Sequence, residues 1–137
     1  MAYWLVKSEP FKYSWDQFVA DKKTIWDGVR NYGARNNLRD MKLNDLLFFY
    51  HSNEGVEIVG IAKVSKTAFQ DPTSDNPNWL SVELKPVKKL KRSVPLSEIK
   101  KVPSLQQMAL IRLSRLSVQP VTEDEWFTIM EMAGEKI

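Results

Sequence analysis

At 137 residues, 43% hydrophobic and 27% charged, the chain has the size of one compact domain (1–137) with a buried core, and its composition excludes a disordered or fibrous polymer. Without cysteine it forms no disulfide, thiolate zinc site or cysteine nucleophile, and any triad or histidine metal cluster would have to use His51, its one histidine. The formal charge of +3 is unevenly spread: seven cations against Glu98 give the Lys85–Lys101 band +6 and leave the rest at −3, which suits an anionic polymer docking on one face or a solvated, lysine-protected sheet edge.

No signal-peptide pattern opens the chain, since charge and proline arrive at Lys7, Glu9 and Pro10, and the expected location is the cytoplasm. Tyr3 to Lys7, aromatic and branched, reads as a strand. Ser14-Trp15-Asp16-Gln17 has the form of a capping box, which predicts a short helix to about Ala20 with Trp15 in the core. Composition favours a second helix from Tyr32 to Met41, with Gly28 and Gly33 requiring a loop before it or near its start. Asp45 to His51 predicts a strand covered on both faces, then a turn at Asn53-Glu54-Gly55. Its apolar run Leu46–Tyr50 is far too short to cross a bilayer. Another strand follows over Val56–Val64, with Val56, Ile58, Gly60, Ala62 and Val64 on one face and Val59 and Ile61 on the other.

Gln70 to Asn78 is a loop. Leu80, Val82 and Leu84 then alternate with polar residues in a half-exposed strand that Pro86 drives toward an edge. Short helical pieces are expected at Leu96–Lys101 and Leu105–Ala109, and extended chain at Ser117–Val121. A second capping box, Thr122 with Glu125, opens a last helix that Gly134 stops, with Trp126, Met130 and Ala133 on its core face. Together these elements predict an α+β fold: a mixed sheet of five or six strands, curled into an open barrel with short helices around it.

One stretch is poor core material. Between Trp26 and Leu38 the chain sets two aromatic rings, three amides and two guanidiniums around two glycines. Buried, every polar head there needs a partner; a pocket that stacks a flat ring and reads its edge by hydrogen bonds uses them all. Catalytic patterns are scarce by comparison. There is no Gly-x-Ser-x-Gly elbow and no phosphate-cradling glycine loop, and His51 and Ser52, as strand neighbours, point to opposite faces. No carboxylate pair has a spacing that specifies acid–base or metal chemistry. Lys7 with Glu9 is the residual pair through which an amide could be hydrolysed or a base deaminated.

Four separated motifs resemble the EVE domain family, in order and over essentially the whole chain. They are Tyr3-Trp4-Leu5-Val6-Lys7-Ser8-Glu9-Pro10, Trp26 through Asn37, Phe48-Phe49-Tyr50-His51-Ser52 and Arg115-Leu116-Ser117-Val118-Gln119-Pro120-Val121. The resemblance implies a PUA-like fold related to the YTH readers of methylated adenine. It also implies a non-catalytic binder of a modified base in DNA or RNA, with no metal and no organic cofactor. By the same resemblance, Lys7-Ser8 matches the strand end that sets a serine beside the YTH base pocket, and Trp26 falls where their first cage tryptophan does. No second cage tryptophan is matched, which leaves Tyr50, His51 or Trp79 for that wall. The chain departs from the family at Gly33, where glutamine is usual, and in a shorter loop at Gln70–Asn78, which in relatives lies near the pocket mouth.

The reading that follows is a flipped-base reader acting as a monomer on nucleic acid that carries a modified base, such as methylated or hydroxymethylated cytosine. Its expected base-binding residues are Ser8, Trp26, Asn31, Tyr32, Asn36, Tyr50, His51, Ser52 and Trp79. Phosphate contacts are expected from Arg30, Arg35 and Arg115 and from Lys85, Lys88, Lys89, Lys91 and Arg92, adding affinity without sequence preference. Metal, cofactor and membrane have no part in it. Two rivals come from other classes: a small amidohydrolase or deaminase acting on a modified nucleoside, and a protein-interaction adaptor with an aromatic groove.

Overall fold

The computed structural model describes residues 2–53 and 55–135. Among them, six strands form one sheet: β1 (Tyr3–Ser8), β2 (Thr24–Trp26), β3 (Leu46–His51), β4 (Glu57–Gln70), β5 (Leu80–Pro95) and β6 (Val118–Val121), in the order β2-β5-β4-β3-β1-β6. β1 and β3 run parallel and every other pair is antiparallel, so the sheet is mixed. The helices are α1 (Trp15–Asp21), α2 (Tyr32–Asp40), α3 (Leu96–Ile99), α4 (Ala109–Arg112) and α5 (Glu123–Met132). Helix α2 packs against β6 at one end of the strand order and against β4 and β5 near the other, so the sheet curls about it. This is the α+β architecture that the pattern of elements predicted.

Alternation along the strands feeds two cores. Trp4 and Val6 join Trp15, Phe18, Leu38 and Phe49 on the side of α1 and α2. Leu5 and Phe48 point the other way, to Ile99, Met108, Trp126 and Ile129 beneath the remaining helices. Ser14 caps α1 by accepting from the Gln17 amide at 3.1 Å, but the Gln17 side chain turns to Asp21, so that box is half made. The Thr122–Glu125 box is reciprocal.

Several expectations needed correction. β2 was not foreseen; Trp26 is its last residue. β4 and β5 run far past their expected ends. Pro86 does not stop β5, because it sits where the β4–β5 register shifts and beyond β2, which reaches only Val82–Leu84; a residue without an N–H fits there. The strict alternation expected over Val56–Val64 fails as well. An extra residue at Val59, between the pairs Tyr50–Ile58 and Phe49–Gly60, shifts the register. Ile58 and Ile61 therefore share one core, and Val59, Ala62 and Val64 the other. The piece expected at Leu105–Ala109 resolves into a 3-10 turn, Pro103–Leu105, and α4. On α5 the fully buried residue is Ile129, with Met130 only packed against that core. Asn53 and Gly55 adopt the positive φ expected of their turn, 69° and 55°; Glu54 between them lies outside the described residues.

Candidate functional site

β1 and β3 end side by side at Ser8 and His51. Near these ends an open cleft of about 670 Å³ is walled by Lys7–Glu9 with Lys12 and Tyr13, by Thr24–Arg30, by Ser52, and by Ser114, Arg115 and Ser117. That volume is in the range of small-molecule sites. Trp26 reaches it from the end of β2, where it pairs with Val82. Its partly buried indole stands edge-to-face on Phe49 (5.7 Å, 83°) and on Tyr13 (6.4 Å, 75°). The core thus anchors one flank of the ring while the rest opens on the cleft. Gly28, at φ +75°, then turns the chain sharply along the rim.

The rim is held by a residue that the sequence reading missed. Asp71 is fully buried and accepts hydrogen bonds from the Gly28 amide (2.8 Å), Arg30 Nη1 (2.8 Å), and the Thr73 amide and hydroxyl (2.7 and 2.6 Å). Burial pushes its carboxyl up, but these donors outweigh burial and hold it well below the usual carboxylate range. The Asp71 amide also donates to the Trp79 carbonyl at 2.9 Å, closing the loop between them. Asp71-Pro72-Thr73 carried the signal, an Asx turn.

On the opposite wall, Lys7 Nζ donates to the Ser114 carbonyl at 2.6 Å, and burial lowers its pKa. Buried Gln119 donates to the carbonyls of Leu113 and Leu116, at 3.2 and 2.8 Å, fixing the loop that carries Ser114 and Arg115. The Ser8 hydroxyl donates to the Tyr13 carbonyl, which leaves its lone pairs for a ligand. Four cations (Lys7, Lys12, Arg30, Arg115) and two carboxylates (Glu9, Asp27) line the cleft, so its charge is positive.

Of the expected base-binding residues, Ser8, Trp26 and Ser52 line this cleft. Asn31 instead caps α2, accepting from the Ala34 amide at 3.0 Å, and Asn36 Oδ1 accepts from Arg35 Nε at 2.9 Å. Tyr50 is buried in the second core, which pushes its pKa up to about 12. His51 Nε2 accepts the Trp15 amide at 3.0 Å, a bond made by the neutral ring, and burial lowers its pKa. Tyr32 and Trp79 stack on each other away from the cleft lining. None of the three residues expected for a second wall reaches the cleft; the aromatic neighbour of Trp26 there is Tyr13, whose place between the Lys7-Ser8 strand end and the Ser14 cap was its signal.

Among the expected phosphate contacts, Arg30 and Arg115 line the cleft, while Arg35 donates to the Asn78 carbonyl at 2.9 Å. Lys85, Lys88, Lys89, Lys91 and Arg92 lie along β5, outside the cleft lining. Lys88 is not a free cation: it meets buried Glu135 at 2.6 Å, and Arg92 meets Glu98 at 3.2 Å. Lys7 and Glu9 do not form a pair, since Glu9 meets Lys12 at 3.3 Å. Among the described residues no three His, Cys, Asp or Glu side chains are grouped to hold a metal, and no helix is long and apolar enough to cross a membrane.

Comparison with known proteins adds to this geometry. The family model of the EVE domain matches residues 2–132. Mouse thymocyte nuclear protein 1 is 39% identical over 164 residues, covering 95% of this chain and 73% of that protein. A crystal structure from Agrobacterium tumefaciens superposes with a TM-score of 0.96 at 45% identity, over 98% of this chain and 94% of that one. The crystal structure of human THYN1 protein in complex with 5-methylcytosine-containing DNA matches with a TM-score of 0.92 at 36% identity, over 100% of both chains. A YTH domain from Zygosaccharomyces rouxii, 13% identical with a TM-score of 0.62, shares the fold.

Proposed function

The chain belongs to the EVE domain family, and from that premise we propose that it is a non-catalytic reader of a modified nucleobase, taken out of its stack and received in the cleft beside Trp26. One observation carries the reading: an indole braced edge-on by the core at Phe49 yet open to a positively charged cleft of about 670 Å³. The DNA complex of the human relative supports it and favours a modified cytosine as the base. Unstacking a nucleotide costs a few kcal/mol, least in a single strand. Stacking on Trp26 returns about 1–3 kcal/mol. The hydroxyls of Ser8 and Ser52 and the ammonium of Lys7 are the polar groups that would orient the base edge. A buried methyl adds only about 0.8 kcal/mol, so discrimination requires the whole slot to close on the base. Arg30 and Arg115 at the walls meet the flanking phosphates. A non-catalytic role accords with Lys7 and Glu9, whose heads are engaged by a carbonyl and by Lys12.

The test is a titration of short single-stranded DNA with and without one 5-methylcytosine. Trp26→Ala should bring the two affinities together, with the circular dichroism spectrum confirming the fold at the assay temperature. A variant that keeps the preference of the unmutated protein would remove Trp26 from the slot.

A further inference from the structure

Outside the cleft, where α2 begins and the 71–78 loop ends, four side chains form a ladder. The Arg30 guanidinium lies 5.5 Å from the centre of the Trp79 ring. Trp79 stacks on Tyr32 at 4.9 Å with an interplanar angle of 28°. The Arg35 guanidinium lies 5.3 Å from the centre of the Tyr32 ring. Neither aromatic residue belongs to either core, and Tyr32 is 60% exposed. A large ring ordered in water, with no core to bury it, is a surface prepared for another flat group.

Both guanidiniums are held in place. Arg30 is bonded by Asp71 and Thr73, Arg35 by Asn36 and by the Asn78 carbonyl. Asp71 offsets the charge of Arg30, whereas among the described residues Arg35 has no carboxylate in ion-pair range. Arg30 also lines the cleft, so the ladder continues its rim.

We propose that this ladder is the landing platform for the nucleotide next to the one in the cleft, with its base packed against the exposed end of the ladder, formed by Tyr32 and Arg35, and its phosphate against the Arg35 guanidinium. The occupant is single-stranded nucleic acid: it supplies the flat ring and the negative charge together, and the shared Arg30 places it in line with the cleft. The inference rests on the reading of the cleft given above. Every base has a π-face, so the platform is indifferent to sequence and to modification. The cleft selects and the platform holds.

Three probes test this: a short single-stranded DNA with one 5-methylcytosine, its plain counterpart, and the free nucleoside 5-methyl-2′-deoxycytidine. Tyr32→Ala should weaken both strands by about tenfold, the loss of one stacked base, while the modified-to-plain ratio and nucleoside binding match the unmutated protein. Tyr32→Phe should restore the affinity, and Arg35→Gln should lower the slope of log K against log salt by about one. Strands bound as tightly by Tyr32→Ala as by the unmutated protein would overturn the platform. A loss confined to the modified strand, or shared by the free nucleoside, would overturn it too, by placing Tyr32 in the base slot. If the unmutated protein binds both strands equally, the reading of the cleft falls, and Tyr32→Ala on the plain strand still decides the platform. If it binds neither, both fall.

Discussion

His51, the one histidine of the chain, is tied into the fold. Its Nε2 accepts the first amide of α1, at Trp15, over 3.0 Å, and a protonated ring cannot accept that bond. Burial is the main cause that lowers its pKa; Glu57 and Asp16 oppose it, and Lys89 acts with it. The unfolded value is about 6.5, and the folded value is lower, so the unfolded chain binds more protons between the two. The stabilisation is therefore full above about pH 6.5 and is lost as the pH falls through the folded value. The urea midpoint should drop over that window, and His51→Gln, which keeps an acceptor but cannot titrate, should flatten this part of the profile. Equal slopes in the two proteins would exclude His51 as the titrating group. A similar local role takes Asn31 and Asn36 out of the cleft: each oxygen is engaged within a few residues of its own backbone.

The contact between α1 and β4 shows why the elements sit as they do. Ser14 fixes the start of α1, so Trp15 drops its ring onto the strand where the register shifts, opposite Gly60. A Cβ at Gly60 would stand 2.5 Å from the Trp15 ring, a distance that no real Cβ tolerates. Gly60→Ala should cost about 1–3 kcal/mol in urea unfolding, the range of overpacked cores. In a Trp15→Phe background the same substitution should cost distinctly less, because the smaller ring leaves room; equal costs in both backgrounds would deny the contact. Gly33, by contrast, lies inside the first turn of α2 and needs no positive φ. The loop that it was expected to demand is provided at Gly28.

Across the whole protein, charge is divided between two places. The cleft carries its own cations, and the β5 band lies apart from it. Lys88 and Arg92 are engaged by Glu135 and Glu98, whereas Lys85, Lys89 and Lys91 have no carboxylate in ion-pair range among the described residues. On the proposed function, the free part of the band would act as a field on an anionic polymer and not as a reader of bases. Lys89→Gln with Lys91→Gln should weaken modified and plain strands alike and reduce the salt slope by up to about one for each phosphate that is no longer neutralised. The effect should fade at high salt as the Debye length shrinks. Weakening confined to the modified strand would place these lysines at the base instead.

Local features were settled by the chain on its own. The caps at Ser14 and Thr122, the loop at Gly28, the two-sided strands and the four spaced motifs are governed by neighbours a few residues apart, so they were legible along with the mixed, curled sheet. Which polar groups face the cleft was settled by folding alone. Asp71 meets Gly28, Lys7 meets Ser114 and Gln119 holds the loop at Leu116, while Tyr50, two residues before the matching Ser52, turns into the core. The reason is geometric. A side chain's direction depends on the face of its strand, one extra residue at Val59 reassigns the faces of β4, and the partners of a rim residue lie many positions away until the sheet curls to bring them together.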